Sequence, residues 1–235
     1  MQTDLSISIC ARKATDQYKH GDYSHMLSLL DPHEPYDDII IPDSTQHLGR
    51  IMFHDLDDIE VRAPQYCTYM PPQKSHVLQI SEFFKHVSAT GGHGILIHCE
   101  AGISRSTASA IVGLCSLGVE PEASFEYITG LIEMALPNRR LLRLADETFW
   151  GTPILEPLAE KRRKWLFEKY EQPDPLQQLK AELDKKGWAS LRIERMQHWS
   201  NYALKYLRSM AKRKRRHPGK PSCFLKHIGR AGAMA

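Results

Sequence analysis

The chain has 235 residues, 42% hydrophobic and 25% charged, with a formal net charge of +3. That composition fits a soluble globular protein with one sizeable core and room for an appendage. No run approaches the roughly 18 apolar residues of a membrane span, and MQTDLSISICARK lacks the basic-then-apolar order of a signal peptide.

In chain order, LSISI (5–9) alternates apolar and polar residues as a half-buried strand does. HMLSLL (25–30) is a compact apolar run closed by Asp31-Pro32. DDIIIP (37–42) reads as a third strand, and GRIMF (49–53) as a fourth that ends in HDLDD. A polar loop with Pro64, Pro71 and Pro72 follows. Val77, Ile80, Phe83, Phe84 and Val87 then recur at helical spacing in residues 74–87. Gly91-Gly92 turns the chain into the apolar run GILIH. Helices are expected at 105–117, at 121–135 behind Pro121, and at 139–149. Strands alternating with helices predict an α/β fold, a mostly parallel central sheet flanked by helices on both faces.

Pro153 and Pro157 suggest a boundary, dividing the chain into residues 1–150 and a basic helical extension, 151–235. The extension holds 20 Lys/Arg against 8 Asp/Glu, a net of +12; the first 150 residues hold 11 against 20, a net of −9. Helical patterns are expected at AEKRRKWLFEKY, at LQQLKAELDKKG after a QPDP break, and at LRIERMQHWSNYALKYLRSMAKRKRR. MAKRKRRHPGK reads either as a solvated basic helix end or as a contact for an acidic surface. Nucleic acid, anionic lipid, the negative half of another copy and nuclear import all stay open. Trp199, Tyr202 and Tyr206 nearby fit a helix core as well as an interface. Cys10, Cys67, Cys99, Cys115 and Cys223 are odd in number and never form C-x-x-C. This argues against a disulfide framework or zinc site, and for a reducing, cytoplasmic compartment.

The chemistry concentrates in HCEAGISRS, residues 98–106. A loop leaving a buried strand for a helix N-terminus presents backbone N–H groups to an anion. Gly102 permits the curl, and the planar fork of Arg105 can grip two oxygens of a tetrahedral oxyanion. Cys99 at the base of the loop would share that positive field, a setting that favours the thiolate. A nucleophile facing a bound phosphate is half of a phosphoryl-transfer site.

His98, Cys99, Arg105 and Ser106 fit H-C-x5-R-S/T, which resembles the signature of cysteine-dependent protein tyrosine phosphatases. The interior AGISRS is most similar to the compact dual-specificity branch, particularly its short bacterial members. The similarity spans about residues 5–150, including PNRRLLRLAD (137–146). It implies a two-step reaction without metal or cofactor, through a cysteinyl-phosphate on Cys99. Glu100, Ala101, Gly102, Ile103, Ser104 and Arg105 would surround the phosphoryl oxygens, and Ser106 would help the sulfur leave. His98 would orient the loop. The family's acid is an aspartate on an upstream loop just past a strand. Here that means Asp55, whose H-D-L context matches best, with Asp57 and Asp58 as alternatives, since 44 positions separate Asp55 from Cys99. Asn138 matches a P-N of relatives and fits a helix start equally well. Glu100, with no lysine in the loop, disfavours a polyanionic head group. The expected substrate is a phosphorylated protein, read as phosphotyrosine with phosphoserine and phosphothreonine also open. The alternative is a phosphoprotein-binding or scaffold protein without turnover.

Overall fold

The computed structural model describes residues 5–33, 35–186 and 194. Among the described residues, Ser6–Ala11 (β1), His25–Leu30 (β2), His47–Met52 (β3) and Gly94–Cys99 (β4) form one sheet in the order β1-β4-β2-β3. All three pairings are parallel, with Ala11 opposite Cys99 and His25 opposite both His47 and Ile95. The inner strands β2 and β4 are buried at every position, which is why both read as unbroken apolar runs. The edge strands β1 and β3 keep exposed positions.

From the strands, Ile7, Ile9, Leu27, Leu29, Ile51, Ile95, Ile97 and Cys99, all odd-numbered, turn to the main core. Lys74–Ala89 (α2), Arg105–Ser116 (α3), Pro121–Leu131 (α4) and Arg139–Phe149 (α5) also supply residues to that core. Helices α2 and α3 meet at Gly113, where any Cβ would lie 2.3 Å from the Phe84 ring. Even-numbered strand positions face a smaller cluster of Cys10, Met26 and Leu96, closed by Tyr18, Tyr23, Ile39 and Leu48. A 3-10 helix, Arg12–Tyr18, lies on this side.

The strand expected at 37–42 does not form; these residues make a turn and irregular chain. Their backbone hydrogen bonds go elsewhere: Ile39 N donates to Tyr36 O, and Ile40 N to Thr15 Oγ1. The helix expected over 121–135 stops at Leu131, and Ala135 N closes a turn on Ile132 O. A short helix, Asp58–Arg62 (α1), interrupts what reads as a polar loop, and Asp57 caps it.

The two prolines after Trp150 do not separate two cores. Leu155–Lys169 (α6) inserts Leu155 and Ala159 into the main core, and Pro157 sits in its first turn, where proline is tolerated. Asp146 of α5 accepts from Leu155 N and Glu156 N, fastening the two helices. Pro175–Lys186 (α7) packs Leu179 and Leu183 against Ala63 and Ile59 beside α1. Apart from Glu194, the last expected helix, with Trp199, Tyr202 and Tyr206, the basic run MAKRKRRHPGK and Cys223 lie outside the described residues. No helix among the described residues is long and apolar enough to cross a membrane.

Candidate active site

Residues 99–105 turn from the carboxyl end of β4 into the N-terminus of α3. Cys99 ends the strand on its main-core face and is 2% exposed. Gly102 N donates to Cys99 Sγ at 3.3 Å, and Ser106 Oγ lies 3.2 Å from the same sulfur. When the hydroxyl donates, the sulfur accepts from both. The backbone N–H groups of Ala101, Ile103 and Ser104 have no acceptor among the described residues. They are donors at a helix N-terminus, the arrangement that binds anions.

Gly102 is required twice over. Its φ is +75°, and a Cβ there would stand 2.6 Å from the Cys10 carbonyl carbon. Gly102→Ala is expected to cost at least about 1–3 kcal/mol and to displace the loop. A lowered urea midpoint would check this. Behind the loop, Arg12 is an element the sequence reading missed. It pairs with Asp38 and approaches Glu100 Oε2 at 3.7 Å, and Arg12 N donates to Glu100 O.

Arg105 is 4% exposed, and its guanidinium is held from one side. Nη1 donates to Asp31 Oδ1 at 2.6 Å and to Phe53 O at 3.0 Å. Nε is buried with no hydrogen-bond partner, and Nη2 has none among the described residues. A buried donor left unpaired costs about 1–3 kcal/mol, so its persistence calls for an explanation. The unpaired Nε–Nη2 edge is the edge that makes bidentate contact with a tetrahedral oxyanion. Asp31, which fixes this orientation, was also missed.

The three aspartates separate cleanly. Asp55 Oδ1 accepts from Ser104 Oγ at 2.8 Å and from Asn138 Nδ2 at 2.7 Å, so Asp55 is tied to the loop that holds Cys99. Asp55 is exposed, and its Oδ2 has no donor among the described residues. Asp57 caps α1 and pairs with Arg139. Asp58 pairs with Arg140 and Arg143, which hold its carboxyl below the usual range against the opposing effect of burial. Asn138 Oδ1 caps α5 through Leu141 N at 2.8 Å, the helix-start role, while its Nδ2 donates to Asp55 Oδ1 and Leu56 O.

His98 turns to the other face of the sheet, fully buried, with Nε2 2.8 Å from Ser28 Oγ. Burial first, and then Arg12, push its pKa down to about 4. His25 is likewise pushed to about 4, by burial and then by His47, His86 and His93. In the unfolded chain both would protonate near 6.5, before the folded protein does. Stability is therefore expected to be complete above about pH 6.5 and to fall as pH drops toward about 4. Denaturant midpoints across that window would show the fall, with a shallower slope in His98→Gln.

No protein-family model matches the chain, and no curated protein matches its sequence. Among solved structures it is similar to human DUSP28, at 15% identity over 68% of this chain and 96% of that chain, with TM-score 0.46. It is similar also to the human tyrosine phosphatase-like serine/threonine/tyrosine-interacting protein (18% identity, 61% and 90% covered, TM-score 0.43). A third is DUSP15 (21% identity, 69% and 91% covered, TM-score 0.43). In this chain, strand, loop and helix stand where the resemblance of HCEAGISRS to cysteine-dependent phosphatases places them.

Proposed function

We propose that the chain is a cysteine-dependent phosphomonoester hydrolase that acts on phosphorylated proteins, phosphotyrosine above all. One observation carries most of the weight: the buried, unpartnered Nε of an Arg105 whose other edge is pinned by Asp31 and Phe53 O. A phosphoryl group on the Nε–Nη2 edge would also meet the spare amides of the loop, beside Cys99 Sγ.

In the first step Cys99 sulfur attacks phosphorus as the P–O ester bond breaks. Arg105 and the loop amides stabilise the equatorial oxygens. The leaving oxygen takes a proton from Asp55, whose Oδ2 is outside the bonds that orient the carboxyl. In the second step water attacks phosphorus, Asp55 accepts its proton, and the S–P bond breaks. Ser106 Oγ, 3.2 Å from Sγ, donates to the departing sulfur.

Para-nitrophenyl phosphate and a phosphotyrosine peptide should both be hydrolysed in buffer containing a chelator. Asp55→Asn is expected to lower kcat about 10²–10⁴-fold on the peptide with an unchanged denaturation midpoint. Asp57→Asn, which breaks a buried pair, should lower the midpoint instead. Phosphopeptide binding without turnover would assign the site to a non-catalytic module.

A further inference from the structure

Three histidines meet at the end of the sheet opposite the loop. His25 opens β2, His47 opens β3 beside it in register, and His86 comes from the last turn of α2. One ring nitrogen from each lies within 4.8 Å of those of the other two; His25 is buried, while His47 and His86 are exposed. Ring centroids are 4.9 Å apart for His25–His47, 4.8 Å for His47–His86 and 5.8 Å for His25–His86.

We propose that His25, His47 and His86 bind a divalent transition-metal cation of the zinc class, in a structural role.

The hydrogen bonds around His25 prepare it as a ligand. Ser24 Oγ donates to Gly94 O at 3.2 Å and accepts from His93 N at 3.2 Å. His25 Nδ1 lies 2.9 Å from the same oxygen. When the one hydroxyl hydrogen goes to Gly94 O, Nδ1 carries the ring proton and Nε2 keeps the lone pair. An Nδ1–H held by an oxygen is the usual companion of a metal-binding histidine. Thr90 Oγ1 is 3.4 Å from Nε2, but its hydrogen has carbonyl acceptors at His86 (2.9 Å) and Val87 (3.2 Å).

The surroundings suit a cation. His86 lies at the carboxyl end of α2, where the helix dipole favours positive charge. His93, the remaining imidazole that acts on His25, is paired with Asp22 through Nε2–Oδ1 at 2.9 Å. In a tetrahedral shell with metal–nitrogen bonds of about 2.0–2.1 Å, ligand nitrogens stand about 3.3 Å apart. His25 stays fixed by its burial, and the exposed rings close the gap by side-chain rotation. His47 must leave its 24° stack on His25 to aim a nitrogen at the ion. Water completes the shell. The ion would clip α2 to the starts of β2 and of the edge strand β3.

The test uses the full chain carrying Cys99→Ser, freed of metal and titrated with zinc alone and with cobalt(II) alone, so that the loop sulfur cannot capture the ion. The expected result is one equivalent bound at micromolar affinity or tighter. A higher Tm and visible cobalt bands of a tetrahedral nitrogen-rich site should accompany it. His47→Gln and His86→Gln, both at exposed positions, should each weaken binding about 100-fold or more and remove the bands. His93→Gln should preserve both. Binding no tighter than millimolar, or binding that survives the double His47→Gln/His86→Gln substitution, would overturn the proposal.

Discussion

Cys99→Ser is expected to lower turnover of a phosphotyrosine peptide by about 10⁴-fold or more. Serine fills nearly the same volume and can keep the contacts to Gly102 N and Ser106 Oγ, so the fold should persist. What disappears is the sulfur that would attack phosphorus. The oxyanion contacts are untouched, so the variant should still bind phosphopeptide and hold it unreacted. Calorimetric binding in parallel with a turnover assay would show both; hydrolysis undiminished in Cys99→Ser would end the reading.

Arg105→Lys should cost about 10³-fold in kcat/KM. The charge is conserved and Asp31 offers an ammonium a partner, so the substitution isolates geometry. A lysine bound to Asp31 has no planar edge left for two phosphoryl oxygens, whereas the arginine divides the work between Nη1 and the Nε–Nη2 edge. Because equatorial oxygens are gripped more strongly as charge redistributes, kcat should fall along with affinity. A change confined to KM would mean that Arg105 only binds substrate.

Much of the site was legible because it is local in sequence. Cysteine, loop glycine, arginine and hydroxyl lie within eight residues, and a buried strand and a small-residue helix frame them. The partners that give these groups their geometry were not legible. Asp31 is 74 positions from Arg105 and Asp38 is 26 from Arg12; such pairs have no period and no motif. The choice among Asp55, Asp57 and Asp58 depended on α5. Arg139, Arg140 and Arg143 occupy the latter two aspartates, while Asn138 reaches the first. For the fold, apolar runs found the strands wherever a neighbour strand existed. The run at 39–41 failed because its amides bond to Thr15 and Tyr36 rather than to a ladder. Pro153 and Pro157 mark a helix start, which in sequence looks like a domain boundary.

The most direct measurement is the mass of the protein quenched in acid during steady-state turnover of para-nitrophenyl phosphate, whose weakly basic leaving oxygen departs without the Asp55 proton, in the Asp55→Asn background that slows breakdown of the intermediate. One added phosphoryl group on the peptide containing Cys99, absent in Cys99→Ser, is the predicted result. Turnover with that peptide never modified, or with the phosphoryl group on another residue, would contradict a nucleophilic Cys99.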